Sequence, residues 1–243
     1  MTCASYRNPA LLAKIAASLD HISGGRLKFG IGSGSLLEEF GEYGVSLDKP
    51  KERIRRLEEA IQIINKMWVE EEASFSGKYY AIDHAVCNPK PVQKPHPRII
   101  VGGGGEKFTL RVVARFADVW NCAGLLSDYA NKLESLKRHC REVDRDFEEI
   151  KLSWMVYVIL SSDRKEIAKS LPLVPEDLDY VINRHLIGNT DQCIKKMHDF
   201  IELGVTDFEL VFPDTFFTRK DTVGLPSLET MKRFAELVSP EFK

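Results

Sequence analysis

Long apolar runs are missing from this chain. Nothing in it approaches the roughly 20 consecutive apolar residues that cross a bilayer, and the opening Met1-Thr2-Cys3-Ala4-Ser5-Tyr6-Arg7 lacks the apolar core of a secretory signal. No membrane partner is therefore expected, and the cytosol is the expected compartment. Paired cysteines are missing too. Cys3, Cys87, Cys122, Cys140 and Cys193 are odd in number, far apart and form no Cys-x-x-Cys pair, which argues against structural zinc or a disulfide framework and for reduced thiols. The six histidines are equally scattered, and no metal site is expected. An excess of either charge is also absent: 34 Lys and Arg stand against 36 Asp and Glu. That balance gives no electrostatic reason to expect nucleic acid.

What is present is a chain of 243 residues, 44% of them hydrophobic, enough for a sizeable core within a single domain spanning 1–243. Its most unusual stretch is Arg98-Ile99-Ile100-Val101-Gly102-Gly103-Gly104-Gly105-Glu106-Lys107. Ile99 to Val101 are β-branched without interruption, as in a strand buried on both faces of a parallel sheet. From Lys107 the spacing turns helical, with Leu110, Val113 and Ala114 on one side and Arg111 and Arg115 on the other. The glycines thus read as a strand-to-helix turn. Bare backbone there lets a ligand approach, and the first amides of the helix favour an anion. A phosphate or a flat ring is expected against Gly102, Gly103, Gly104 and Gly105. The pattern is not a dinucleotide fingerprint, which needs interspersed residues and a later acidic residue.

In chain order, Asn8-Pro9 opens a helix whose apolar stripe reads Leu11, Leu12, Ile15, Ala16, Leu19 and Ile22, closed by Gly24-Gly25. A short strand over 26–31 runs into a second glycine-rich turn, Gly32-Ser33-Gly34-Ser35. Residues 36–50 form an irregular loop. A helix follows Pro50 with Ile54, Leu57, Ile61, Ile64 and Trp68 in register, and Arg53, Arg55, Arg56 and Lys66 read as a solvated face pairing with Glu52, Glu58 and Glu59. A hairpin centred on Gly77 spans 73–82, and the proline-rich 88–97 delivers an extended lead-in to the central strand. Further strands are expected at 118–121, 151–160 and 207–212. Helices are expected at 127–144, 163–171, 190–204 and 227–238, and 172–188 reads as a lid or packing insert. His84, His96, Trp120 and Trp154 are weaker candidates for ligand contact. Arg219 and Lys220 could clamp a phosphate. Strand and helix alternate throughout, which fits either a doubly wound sheet or part of a (β/α)8 barrel. Glycine turns at the ends of several strands favour the barrel.

Particular strings carry more than pattern. Tyr6-Arg7-Asn8-Pro9-Ala10-Leu11-Leu12-Ala13-Lys14, Ile22-Ser23-Gly24-Gly25-Arg26-Leu27, Gly30-Ile31-Gly32-Ser33-Gly34, Cys87-Asn88-Pro89-Lys90-Pro91-Val92-Gln93 and Val101-Gly102-Gly103-Gly104-Gly105-Glu106-Lys107 resemble the bacterial luciferase-like monooxygenase superfamily. The chain looks closest to its coenzyme F420-dependent oxidoreductase branch. The resemblance implies a TIM-type (β/α)8 barrel binding a flavin or deazaflavin at its C-terminal face. It places Gly102 to Gly105 along the cofactor's phosphate-bearing tail, with Glu106 and Lys107 opening the helix behind. Gly32, Ser33 and Gly34 would lie beside the ring, and Cys3 near the end of a strand whose backbone supports it.

Two departures accompany it. Family members place about three barrel strands before the position of Met1, so the barrel domain is expected to be N-terminally incomplete, with unpaired edges. The sugar-phosphate dehydrogenase branch carries a catalytic glutamate directly after the Gly-x-Gly turn, where this chain has Ser35, and no catalytic residue is assigned. The resemblance implies hydride transfer between coenzyme F420 and a small organic substrate, in a protein that forms a homodimer. An FMN-dependent monooxygenase is the alternative, and a non-catalytic or truncated member of the fold is the third reading.

Overall fold

A computed structural model describes residues 1–170, 177–212 and 227–242. Two compact units emerge from it: residues 1–121 with 134–150, and residues 122–133 with 151–243.

In the first unit four strands run parallel: β1 (Thr2–Cys3), β2 (Phe29–Gly32), β5 (Ile99–Gly102) and β6 (Val119–Cys122, of which Cys122 falls in the second unit). Cys3 pairs with Gly32, Ile31 with Val101 and Gly102 with Asn121. All four chains therefore end on the same side, with Cys3, Gly32, Gly102 and Asn121 in one row. The apolar strand residues Phe29, Ile31, Ile99, Val101, Val119 and Trp120 are buried, as parallel strands covered by helices require.

Helix α1 (Pro9–Ile22) starts as its sequence dictates, the Asn8 side chain accepting from the Ala10 and Leu11 amides with Pro9 in the first turn. Its stripe is split, however. Leu12, Ala13, Ala16 and Ala17 are buried, whereas Leu11, Ile15, Leu19 and Ile22 face outward. Small alanines allow close approach of α3 (Pro50–Val69), whose Trp68 donates from Nε1 to the Ala13 carbonyl at 2.9 Å and meets Phe29 edge to face. Short α2 (Leu37–Glu42) buries Phe40. The hairpin of β3 (Ala73–Ser76) and β4 (Ala81–Ala85) follows.

The proline-rich lead-in to β5 is held by buried polar groups. The carboxylate of Asp20, wholly buried on α1, accepts from the Gln93 amide and the Gln93 side chain, which also donates to the Leu27 carbonyl. Burial pushes the Asp20 pKa up, but the hydrogen bonds from Gln93 and neighbouring amides outweigh it and hold the carboxyl below its ordinary value. Lys90 adds donations to the carbonyls at the end of α3, Met67 (2.8 Å) and Glu70. The tetraglycine turn leads to α4 (Thr109–Phe116).

The second unit contains β7 (Lys151–Leu160), flanked by parallel β8 (Leu186–Gly188) and β9 (Val205–Val211). Its core stacks Trp154 on Phe200, with centroids 3.8 Å apart, and sets Tyr129 and Phe208 edge-on. α5 (Leu126–Glu142) contributes residues to both units. α6 (Arg164–Ser170) and α7 (Leu178–Arg184) place Ile167, Leu178, Val181 and Ile182 around Ile159 and Ile187. The amide of Lys165 bonds to Asp163, which caps α6. A reciprocal capping box of Asn189 and Gln192 opens α8 (Thr190–Glu202), and α9 (Ser227–Leu237) is the last α-helix described, followed by a 3-10 turn at Ser239–Phe242.

Strands expected at 99–102 and 151–160 are present with those bounds, and those expected at 26–31, 118–121 and 207–212 are present with shifted ends. The insert expected at 172–188 contains α7 and β8 in its described part. Arg219 and Lys220 lie outside the described residues. Among the described residues no helix is long and apolar enough to cross a membrane.

Candidate functional site

The row of strand ends in the first unit continues into two glycine turns. After β2, the path over Gly32-Ser33-Gly34 is braced from below by α3. Arg53, only 8% exposed, donates from Nη1 to the Gly34 carbonyl at 2.6 Å and to the Ser33 carbonyl at 3.4 Å. Its guanidinium carbon lies 5.6 Å from the Phe40 ring centre. Sequence spacing had put Arg53 on a solvated face, yet the side chain is buried because its donors are the support of the turn. The other expected pairs differ too. Arg56 pairs with Asp48, Glu58 with Arg115, Lys66 with Glu70, and Glu59 bonds to backbone amides of the hairpin turn.

Gly34 has φ +87, and a side chain there would sit 2.8 Å from the Phe40 ring and 2.9 Å from the Cys3 sulfur. Its missing side chain thus makes room for the protein's own Phe40 and for buried Cys3, rather than for bare floor as expected. Gly32 differs: the nearest atom to a side chain there is the Gly102 carbonyl oxygen at 3.7 Å. Around this turn Tyr6 meets Phe40 and Tyr43 edge to face and donates to the Glu39 carboxylate at 2.9 Å. Loss of hydration and the Glu39 bond push the Tyr6 phenol up to about 12.

After β5, Gly103 turns the chain at φ +123, its amide bonded to the Asn121 carbonyl at 3.0 Å and its carbonyl accepting from Trp120 Nε1 at 2.8 Å. Trp120, considered above for stacking on a ring, is wholly buried and serves as a brace. Trp154, also considered, is wholly buried against Phe200 and donates to the Gly124 carbonyl. Of the four glycines, Gly102 is covered by the Met1 side chain, whose sulfur lies 2.7 Å from where a Cβ would stand. Gly103 and Gly105 are exposed, Gly104 half-buried, and Thr109 stands beside Gly103 and Gly105. The bare backbone is therefore narrower than four glycines suggest. It consists of Gly32 and the outer faces of Gly103 and Gly105.

Glu106 and Lys107 precede α4 in a turn, the helix starting at Thr109. The Glu106 carboxylate accepts from Ser135 at 3.0 Å, and its carbonyl faces His139 Nε2 at 2.8 Å, so this acid is a strut. Lys107 and Lys51, from the start of α3, each hold their ammonium 5.6 Å from the centre of the exposed Phe108 ring. Neither has a carboxylate partner among the described residues. Two cations, an aromatic face and exposed glycine backbone can receive an anion, while the side-chain-free strand end at half-buried Gly32 can border a flat ring.

His84 is exposed beside Asp83, and His96 lies near Asp118. Neither is brought to the turns. A hollow of about 510 Å³ lies elsewhere, on the hairpin along Phe75, Ile82 and Asp83. Among the described residues no three His, Cys, Asp or Glu gather to hold a metal. Sequence reasoning missed the bracing role of Arg53 and the cation at Lys51, and gave Trp120 a ring-stacking role in place of a bracing one; a buried cation next to half-buried Ile54 and two residues from exposed Arg55 offers no periodic signal.

Parallel strands ending in one row, with glycine turns after β2 and β5 and helices following the strands, make an α/β protein of TIM-barrel type. The family described as "Luciferase-like monooxygenase" matches residues 1–174, and the chain belongs to that family. An F420-dependent glucose-6-phosphate dehydrogenase from Gordonia bronchialis is 33% identical over 187 residues, 72% of this chain and 54% of that protein. An FMNH(2)-dependent dimethylsulfone monooxygenase from Pseudomonas putida is 38% identical over 99 residues, 41% of this chain and 27% of that protein. These matches span about half or less of the relatives' own lengths. A solved F420-dependent secondary alcohol dehydrogenase, in complex with an F420-acetone adduct, superposes with a TM-score of 0.83 at 18% identity. It covers 98% of this chain and 77% of that one, a likeness of fold.

Proposed function

We propose that the chain is a cytosolic oxidoreductase that uses coenzyme F420 to transfer hydride to or from a small organic substrate. The observation that supports this reading is the alignment of Gly32 beside Gly102, where a Gly32 side chain would meet nothing among the described residues closer than the Gly102 carbonyl oxygen at 3.7 Å, its chain neighbours aside. With it go exposed Gly103 and Gly105 in the turn that leads to Phe108, over which Lys51 and Lys107 both lie. A tricyclic ring needs backbone without side chains on one side, and its phosphate tail needs cations and amides. Both are found within one unit. When bound, the deazaflavin supplies the hydride chemistry.

The chain's own residues then have defined tasks. Gly32 and Ser33 border the ring, with Cys3 closing the space behind Gly34. Gly103, Gly104 and Gly105 border the tail, and Lys51 and Lys107 neutralise it. Gly102, under Met1, contributes through its place in β5, and Glu106 through its bonds to Ser135 and His139. An acidic group directly after the Gly-x-Gly turn is lacking, since Ser35 stands there. That favours substrates other than the sugar phosphate of the dehydrogenase relatives. The proposed assembly is a homodimer of luciferase-like barrel domains, each extending over 1–243.

FMN is the second reading, favoured by the monooxygenase relative and by the tail that both cofactors share. Titrating the purified chain with F420 and, separately, with FMN while following cofactor fluorescence decides between them. Saturable binding of F420 at near one per chain, with weaker FMN binding, is the expected result. Binding of neither would remove the oxidoreductase reading and leave a non-catalytic member of the family.

A further inference from the structure

A buried guanidinium ordinarily requires a carboxylate partner, because burying an unpaired charge costs several kcal/mol. Arg53 has none among the described residues. Its bonds go to two backbone carbonyls, its flank lies on Phe40, and its Nε is buried without a hydrogen-bond partner. The turn it holds follows Gly32, where a side chain would meet only the Gly102 carbonyl oxygen, at 3.7 Å, among the described residues. A full positive charge is thus kept in place beneath that turn with no carboxylate bonded to it among the described residues.

We propose that Arg53 is a positioning residue with two linked effects. It fixes the Ser33–Gly34 carbonyls so that the turn keeps one shape, and its uncompensated charge makes the space above favour a ring carrying negative charge, as a reduced flavin or deazaflavin does. The inference rests on the oxidoreductase reading for the ligand, while the shape of the turn stands on the contacts alone. Holding the carbonyls down directs their negative ends toward α3 and away from Gly32. An electron-rich ring then meets the positive side of the peptide groups. Charge near the ring is a means by which a protein tunes such a cofactor.

The test compares wild type with Arg53→Met, which keeps a flexible apolar stem, and Arg53→Lys, which keeps the charge without the fork. Anaerobic titrations use oxidised and reduced forms of F420 and FMN, and the tail-less deazariboflavin chromophore. Arg53→Met should weaken binding roughly tenfold, equally for the tail-less chromophore, and weaken the reduced form more than the oxidised. Arg53→Lys should recover the preference for the reduced form with only part of the affinity. A merely structural defect would weaken both redox forms alike, and that outcome overturns the charge effect.

Hydrogen exchange on the ligand-free chain gives an independent readout. Amides over 33–41 should exchange faster in Arg53→Met while those over 57–68 stay unchanged. Unaltered exchange over 33–41 would overturn the positioning role. Should wild type bind neither cofactor, the proposed function fails, and the exchange comparison still decides whether Arg53 shapes the turn.

Discussion

His185 is the second unit's buried imidazole, with Nδ1 3.4 Å from the Tyr157 amide and its ring edge-on to Tyr157. Burial, with Arg184 and Lys196 adding like charge, lowers its pKa from 6.5 to about 4. Lys196 is itself lowered by burial and donates to the Ile182 and His185 carbonyls. Because the folded imidazole holds its proton less tightly than the unfolded one, acidification favours unfolding. The loss begins as pH falls below about 6.5 and is complete near pH 4, on the order of 3 kcal/mol for a shift of this size. Urea denaturation midpoints across that range should fall for wild type and fall less for His185→Gln, which keeps an acceptor for Tyr157. Of the proposed site residues, the glycines stand out in the sequence because few other residues suit such turns, whereas Cys3 is pointed to only by the family resemblance. The bracing roles of Arg53 and Trp120 do not stand out, since a side chain that braces a turn from another element leaves no local pattern.

At the scale of elements, the hairpin between α3 and the proline-rich lead-in hangs on one side chain. Glu59 accepts from the amides of Lys78, Tyr79 and Tyr80 at 2.8, 2.8 and 3.0 Å. Removing it leaves three amides of the turn to water, so Glu59→Ala should cost roughly 1–3 kcal/mol. Protease cleavage between residues 77 and 81 should accelerate, a measurement confined to that element. Strongly patterned elements were legible: α1 from its Asn8-Pro9 start, α3 from its apolar register and β7 from its β-branched run. Where sequence and structure part, length explains it. β8 has three residues, too few to show alternation, and α4 begins two residues later than Lys107 because Glu106 is drawn to Ser135 and His139. The outward Leu11, Ile15, Leu19 and Ile22 of α1 show that an apolar residue at helical spacing need not be interior.

For the molecule as a whole, alternation of strand and helix read from the sequence gave the α/β class, and family-specific strings gave the barrel type. The division into two units was not legible, because the strand-helix rhythm continues through it without a change in composition. Near-neutral charge also left the lysines beside Phe108 unmarked, since a local cluster does not alter the sum. The packing around the two small residues of the first turn has a further consequence. At Gly34 the protein itself forbids a methyl group, so Gly34→Ala should lower the melting temperature whether or not anything is bound. At Gly32, its chain neighbours aside, nothing among the described residues stands closer than 3.7 Å to such a methyl, so Gly32→Ala should melt like wild type by calorimetry. If the altered protein nonetheless loses its guest, the vacancy at 32 is upkeep for a visitor and not for the host.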